Sequence, residues 1–352
     1  MDNTRTGTKR RPPRVRPPIF AVGALAMAVV LGGCRGCQRR SDEVVVYTSV
    51  DQVFSEPILR AFEKQSGITV RAVFDTEETK STGVLNRLVA EGDRPSADVF
   101  WSGDPVRPFV LQKRGLLAPY LSPQARALPA GLRAADGTWT GFAARARVLL
   151  VNRERLGERP TPKSILDLVS SDWKGEATMA NPLFGTTTMH VAALSSTWGE
   201  ERAQKFLADF RANGGRLASS NGEVKRLVVS GEVTFGLTDT DDANEALKED
   251  APVQMVYPDQ EGFGALVMPT AVVLIAGGPH PDNGKKVIDH LLSAETERRM
   301  AESAAHMPLR PGVPVPAGVR SVAEIKAMEV EYARVAEEMV RMQPWLKEWV
   351  GL

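Results

Sequence analysis

The chain has 352 residues, 43% hydrophobic and 25% charged, which is enough for two domains with ordinary cores. Six of its 44 basic residues but only one of its 43 acids fall in residues 1–34; the remaining 38 bases and 42 acids give the body a net charge of −4. A mildly acidic body argues against nucleic acid, where a basic face supplies most of the affinity.

Residues 1–18 are polar, basic and proline-rich. The apolar run that follows, Ile19 to Leu31, is too short to span a bilayer comfortably and reads as a secretory signal. Leu31-Gly32-Gly33-Cys34 resembles the bacterial lipobox, in which the cysteine thiol takes a diacylglycerol anchor. Residues 1–33 are therefore expected to be a lipoprotein signal peptide, Cys34 the lipidation site and residues 34–42 a polar tether. The two cysteines, Cys34 and Cys37, both lie at this edge, so the body should hold no disulfide and no thiolate metal site.

The body alternates strands and helices. Glu43–Thr48 is a nearly continuous apolar run, as in a strand buried on both faces. A helix capped by Ser55 should follow, with Ile58, Leu59 and Phe62 as its apolar stripe and Gly67 as its end. Ile68–Phe74 reads as a strand, Gly83–Ala90 as a helix, Asp98–Trp101 as a strand and Val106–Lys113 as a helix. A second series has strands at Arg147–Asn152, Thr178–Ala180, Thr234–Thr238 and Ala271–Ile275. Its helices are expected from Thr187 to about Thr197, at Glu200–Ala212 and Glu223–Ser230, then at Pro281–Leu292 and Glu295–Ala305. Val322–Trp349 should be mostly helical. This order implies doubly wound α/β sheets, which bind ligands at the carboxyl ends of their strands.

Enzyme templates are missing: there is no HExxH, no GxSxG and no P-loop lysine. The four histidines are scattered and read as surface or packing residues. The strand-end loops instead offer fixed polar groups, as a binding cleft needs. Thr48, Ser49 and Asp51 follow the first strand. Ser81 and Thr82 open a helix, and Asp104 follows the third strand. Gly185, Thr186 and Thr187 form a turn that opens a helix, whose free N–H groups suit an anion. Asp239, Asp241 and Asp242 crowd one strand tip, where mutual repulsion calls for solvent, a cation or an amine.

The order of VVVYTS, ADVFWSGD, RGLLAPY, NPLFGTTT, GEVTFGLTDTDDA and GGPHP resembles the solute-binding proteins of ABC importers. The likeness is to the cluster that includes receptors for ferric iron, phosphorylated sugars and 2-aminoethylphosphonate. It covers about Val44 to Pro311. It implies a type II periplasmic-binding fold, with two α/β lobes hinged on crossover strands near Gly141–Ala146 and Val267–Thr270. Lobe one would comprise residues 43–140 and 271–352, and lobe two residues 141–270. Iron-binding members typically place adjacent tyrosines where this chain has Asp241 and Asp242. They place a histidine where it has Asp51, and a glutamate where it has Gly103, next to Asp104. Carboxylate ligation of a cation by Asp51, Asp241 and Asp242 stays open, as does capture of a phosphonate or phosphate ester.

The resemblance implies a monomeric receptor that needs no cofactor and is not an enzyme. It would be lipid-anchored in the cell envelope and would hand a small hydrophilic solute or metal ion to an ABC permease and ATPase. The alternatives are a sensor or scaffold lipoprotein on the same fold and, less favoured, a metal-dependent hydrolase.

Overall fold

The computed structural model describes residues 42–75 and 82–352. The signal peptide, Cys34, the tether up to residue 41 and Ser81 lie outside the described residues. In chain order the first block is β1 (Glu43–Thr48), α1 (Gln52–Ser66), β2 (Thr69–Phe74), α2 (Thr82–Glu91), β3 (Val99–Ser102), α3 (Arg107–Gln112) and β4 (Leu117–Ala118). β5 (Thr140–Asn152) leads into α4 (Arg153–Leu156), β6 (Ala177–Ala180), α5 (Gly185–Trp198), α6 (Glu200–Ala212) and β7 (Arg216–Ala218). Then come α7 (Asn221–Val229), β8 (Phe235–Asp239), α8 (Thr240–Lys248) and β9 (Val253–Val256). β10 (Val267–Ile275) precedes α9 (Pro281–Leu291), α10 (Ala294–Ala304) and α11 (Tyr332–Val350).

The strand order is β2-β1-β3-β10-β5-β8-β6-β7, with β4 on β10 and β9 on β5. β1 runs parallel to β2 and β3, and β6 runs parallel to β7 and β8. Two long strands join these parallel sets. β5 pairs with β10 through Thr140–Ala146, and then with β8 from Arg147 to Val151. The chain thus forms the two-lobed, doubly wound α/β architecture that the resemblance implies, with β5 and β10 crossing between the lobes. The pairing slips between Pro269 and Thr270, near Ala143, which is held at φ 42°. Glu297, buried beneath this kink, accepts the Ala143 N–H at 2.9 Å and those of Leu309 and Arg310 at 3.0 Å each.

Burial explains the elements. Val44 and Val46 of β1 join Ile58, Leu59 and Phe62 of α1 on one face of the sheet, while Tyr47 packs with Val84, Leu85 and Leu88 of α2 on the other. Gly67 closes α1 at φ 72°. Ser55, the expected cap, sits inside α1, because Asp51 takes the N-cap position. The Ser55 hydroxyl donates back to the Val50 and Asp51 carbonyls at 3.0 Å each.

The C-terminal helix is shorter than its periodicity predicts. Met328 donates to the Ala265 carbonyl and Ala265 to that of Lys326, so this stretch bonds alongside another segment and the α-helix starts only at Tyr332. Val335, Ala336, Met339, Met342 and Leu346 of α11 share a core with Met189 and Val191 of α5, and Phe109 and Val110 of α3 pack against it. Among the described residues, no helix is long and apolar enough to cross a membrane.

Candidate ligand-binding site

The site grows from one feature of β5. The segment FAARARVLLV is apolar apart from two arginines at i and i+2, which a strand must present on the same face. Arg145 and Arg147 flank the point where β5 leaves β10 for β8. Arg147 lies directly opposite Asp239 in the β5–β8 pairing. Both guanidiniums are buried, at 5% and 0% exposure, so each must be matched by charge.

Asp239 and Asp241 supply that match. Arg147 donates to Asp239 at 2.6 Å, and Arg145 donates to Asp239 at 3.2 Å and to Asp241 at 3.0 Å. Arg147 also donates to the hydroxyls of Thr186 at 3.0 Å and Thr187 at 3.2 Å, and to the Asn221 side-chain carbonyl at 3.1 Å. Thr186 in turn donates to Asp239 at 2.8 Å. Burial works to lower the Arg145 pKa, but Asp241, Asp239 and Asp51 outweigh it and hold the group above its ordinary value. Nε of each arginine has no hydrogen-bond partner among the described residues.

The two lobes meet at this cluster. Arg145 donates to the Gly103 carbonyl at 2.7 Å. A Cβ on Gly103 would lie 3.1 Å from the Ser49 carbonyl oxygen and 3.3 Å from Arg145, so a side chain there would strain the approach. Arg107, ion-paired to Asp104, reaches the Gly185 carbonyl at 3.4 Å. Gly185 opens α5 at φ 58°, a conformation glycine adopts freely, and no side chain caps that helix. Beside it, a cavity of about 130 Å³ is lined by Thr82, Arg107, Arg114, Leu183 and Thr188, among others, and the buried Thr188 hydroxyl has no partner among the described residues.

The expected site residues separate into two groups. Thr186, Thr187, Asp239 and Asp241 converge on the arginines, with Gly185 at the adjoining helix start. Asp242 lies within the same carboxylate cluster as Asp239 and Asp241, with oxygens inside 4.8 Å of one another, and accepts from Thr238 at 3.1 Å. The other group serves its own turns. Thr48 accepts the Val50 N–H at 3.0 Å, Ser49 accepts the Gly103 N–H at 2.9 Å, and Asp104 accepts those of Val106 and Arg107 at 3.0 and 3.2 Å. Asp51 takes the N-cap position of α1 without a side-chain cap bond, its charge acting on Arg145, and Thr82 opens α2 beside the cavity.

The repulsion expected among the strand-tip acids is relieved by Arg145 and Arg147, which the sequence reading did not single out. The legible signal was two arginines at strand spacing inside an apolar run. His306, expected in a surface or packing role within a helix, lies beyond the end of α10 and is 1% exposed. Its Nε2 is 3.9 Å from Asp241 and its Nδ1 has no partner among the described residues. Burial lowers its pKa, against the raising effect of Asp241. His190 of α5 is also buried, and burial together with Arg147 lowers its pKa well below the usual histidine range. All four tyrosines are bonded elsewhere: Tyr47 to Glu91, Tyr120 to Asp289, Tyr257 to the Arg320 N–H and Tyr332 to the Val267 carbonyl. A wider, open cavity of about 670 Å³ lies around Tyr257, Asp259 and Arg320, and none of the expected site residues lines it.

The chain is 27% identical over 296 residues to iron uptake protein A1 of Synechocystis sp., covering 81% of each chain. It is 26% identical over 294 residues to a putative 2-aminoethylphosphonate-binding periplasmic protein of Salmonella typhimurium, covering 82% of this chain and 80% of that one. Its fold is similar to that of the periplasmic binding protein AfuA from Actinobacillus pleuropneumoniae, solved with exogenous fructose-6-phosphate bound. The TM-score is 0.79 at 21% identity, over 88% of this chain and 99% of that one. The profile of bacterial extracellular solute-binding proteins matches residues 94–334, more than half of the sequence, and the chain belongs to that family.

Proposed function

We propose that this protein captures a small phosphonate or phosphate ester between its lobes for import by an ABC permease and ATPase. The observation that carries this reading is the pair of buried arginines, with Arg147 set against Thr186 and Thr187 at the uncapped start of α5. Guanidiniums, hydroxyls and a helix N-terminus are the groups that hold tetrahedral oxyanions. The N–H groups at the start of α5 take the oxyanion, with Arg147 and Arg107, buried and ion-paired to Asp239 and Asp104, placing positive charge behind them; Asp241 and Asp51 take an amine or hydroxyls at the other end of the solute. A relative named for 2-aminoethylphosphonate and a fold neighbour solved with a sugar phosphate support the choice. Residues 43–140 and 271–352 form one lobe and residues 141–270 the other, and ligand contacts made with both favour the closed arrangement.

Ferric iron is the second reading, favoured by the iron-uptake relative and by the three clustered carboxylates. Thermal unfolding in the presence of 2-aminoethylphosphonate, sugar phosphates or ferric citrate separates the two. The true ligand raises Tm progressively above its Kd. A rise with ferric citrate and none with the phosphorus compounds would reverse the assignment.

The protein is exported and held to the membrane through lipid on Cys34, and it works as a monomer. Cys34→Ala should move it from the membrane to the soluble fraction. If that variant stays membrane-bound, the anchor lies elsewhere.

A further inference from the structure

We infer that Arg145 is a specificity-determining residue: its guanidinium stands as a built-in counter-cation among the strand-tip carboxylates and keeps metal ions out of the cleft. The inference rests on the reading of the cleft as an oxyanion site and adds what rejects the competing class of solute.

Asp239, Asp241 and Asp242 bring carboxylate oxygens within 4.8 Å of one another, a spacing suited to a hard cation. The place is taken from within the chain. Nη1 of Arg145 lies 3.2 Å from Asp239 and 3.0 Å from Asp241, and Asp51 acts on the same guanidinium. Nη2 is fastened to the Gly103 carbonyl at 2.7 Å, which fixes the charge in position. The surroundings suit a metal better than an arginine in two respects. Among the described residues, Arg145 Nε is buried without a partner, and so is Nδ1 of His306, whose other nitrogen faces Asp241 at 3.9 Å. Three clustered carboxylates are a hard-cation donor set, and here a guanidinium sits within it.

Removing that charge should therefore create metal binding. Arg145→Met, titrated with terbium(III) and with ferric citrate in calorimetry, should bind one ion per chain at least tenfold more tightly than wild type. Its Tm should rise with metal concentration where that of wild type does not. Arg145→Lys keeps a cation in place and should gain nothing. Arg145→Gln drops the charge but keeps hydrogen-bonding groups, and gives the same reading where Met prevents folding. Folded Met or Gln variants with no gain would overturn the inference, as would wild type that binds either ion as tightly as they do. Binding of 2-aminoethylphosphonate and fructose-6-phosphate to wild type is measured separately. Failure there removes the oxyanion reading and leaves the metal gain legible.

Discussion

The strand-end loops of the two lobes have similar compositions and different uses. In the first lobe, Thr48, Ser49 and Asp104 accept backbone N–H groups of their own or neighbouring turns. In the second, Thr186, Thr187, Asp239 and Asp241 turn to side chains carried by β5. A polar residue at the end of a parallel strand is therefore no evidence of a ligand contact by itself. The difference comes from the arginines. In the second lobe the oxygens meet cations carried by a distant strand, whereas in the first Asp104 meets Arg107 of its own turn and Thr48 and Ser49 satisfy orphan N–H groups.

Substitutions can break or sharpen this contrast. Arg147→Met should have the largest effect, because it removes the 2.6 Å partner of the buried Asp239 carboxylate and leaves Arg145, at 3.2 Å, as its ion-pair partner. We expect a loss of about 3–5 kcal/mol in urea unfolding, and loss of any phosphonate-induced rise in Tm. A variant as stable as wild type would erase the distinction between the lobes. Asp241→Ala leaves Arg145 still paired with Asp239, so it should cost less stability, about 1–3 kcal/mol. Ligand affinity should still fall by about tenfold, equivalent to about 1.4 kcal/mol. Unchanged affinity in calorimetry would remove Asp241 from the site.

The pH response probes the same side of the cleft. Burial, and then Arg147, hold His190 neutral in the folded chain, whereas in the unfolded chain it takes up a proton below about pH 6.5. Stability present above that pH is lost as pH falls through it, because the unfolded state binds more protons. Tm should drop between about pH 7.5 and about pH 5, and His190→Gln should flatten that slope. An equally steep slope in the variant would assign the effect to other groups, with His306 foremost. Ser49→Ala should have the smallest effect. It removes one hydrogen bond to Gly103, worth about 1 kcal/mol, and leaves ligand affinity within twofold. A large loss of affinity would make the first-lobe loop a ligand contact after all.

Much of the fold was legible in the sequence, for local reasons. The run EVVVYT needed only its apolar continuity to read as a central strand, and Gly67 its freedom at positive φ to end α1. The start of α1 was misread because Asp51 and Ser55 are both competent caps, and only the chain's path chooses between them. The last helix was overextended because residues 326–328 have helical periodicity but pair with Ala265, far away in sequence.

By itself the sequence determined the α/β order and the crowding of acids at Asp239–Asp242. Periodicity, run length and charge count are properties of neighbours along the chain. What relieves those acids was decided only by tertiary structure. The cations come from Arg145 and Arg147, more than ninety residues before them, and reach the acids because β5 pairs with β8 and its side chains alternate. Local pattern records that a charge must be compensated; only the pairing of distant strands fixes which residue does it.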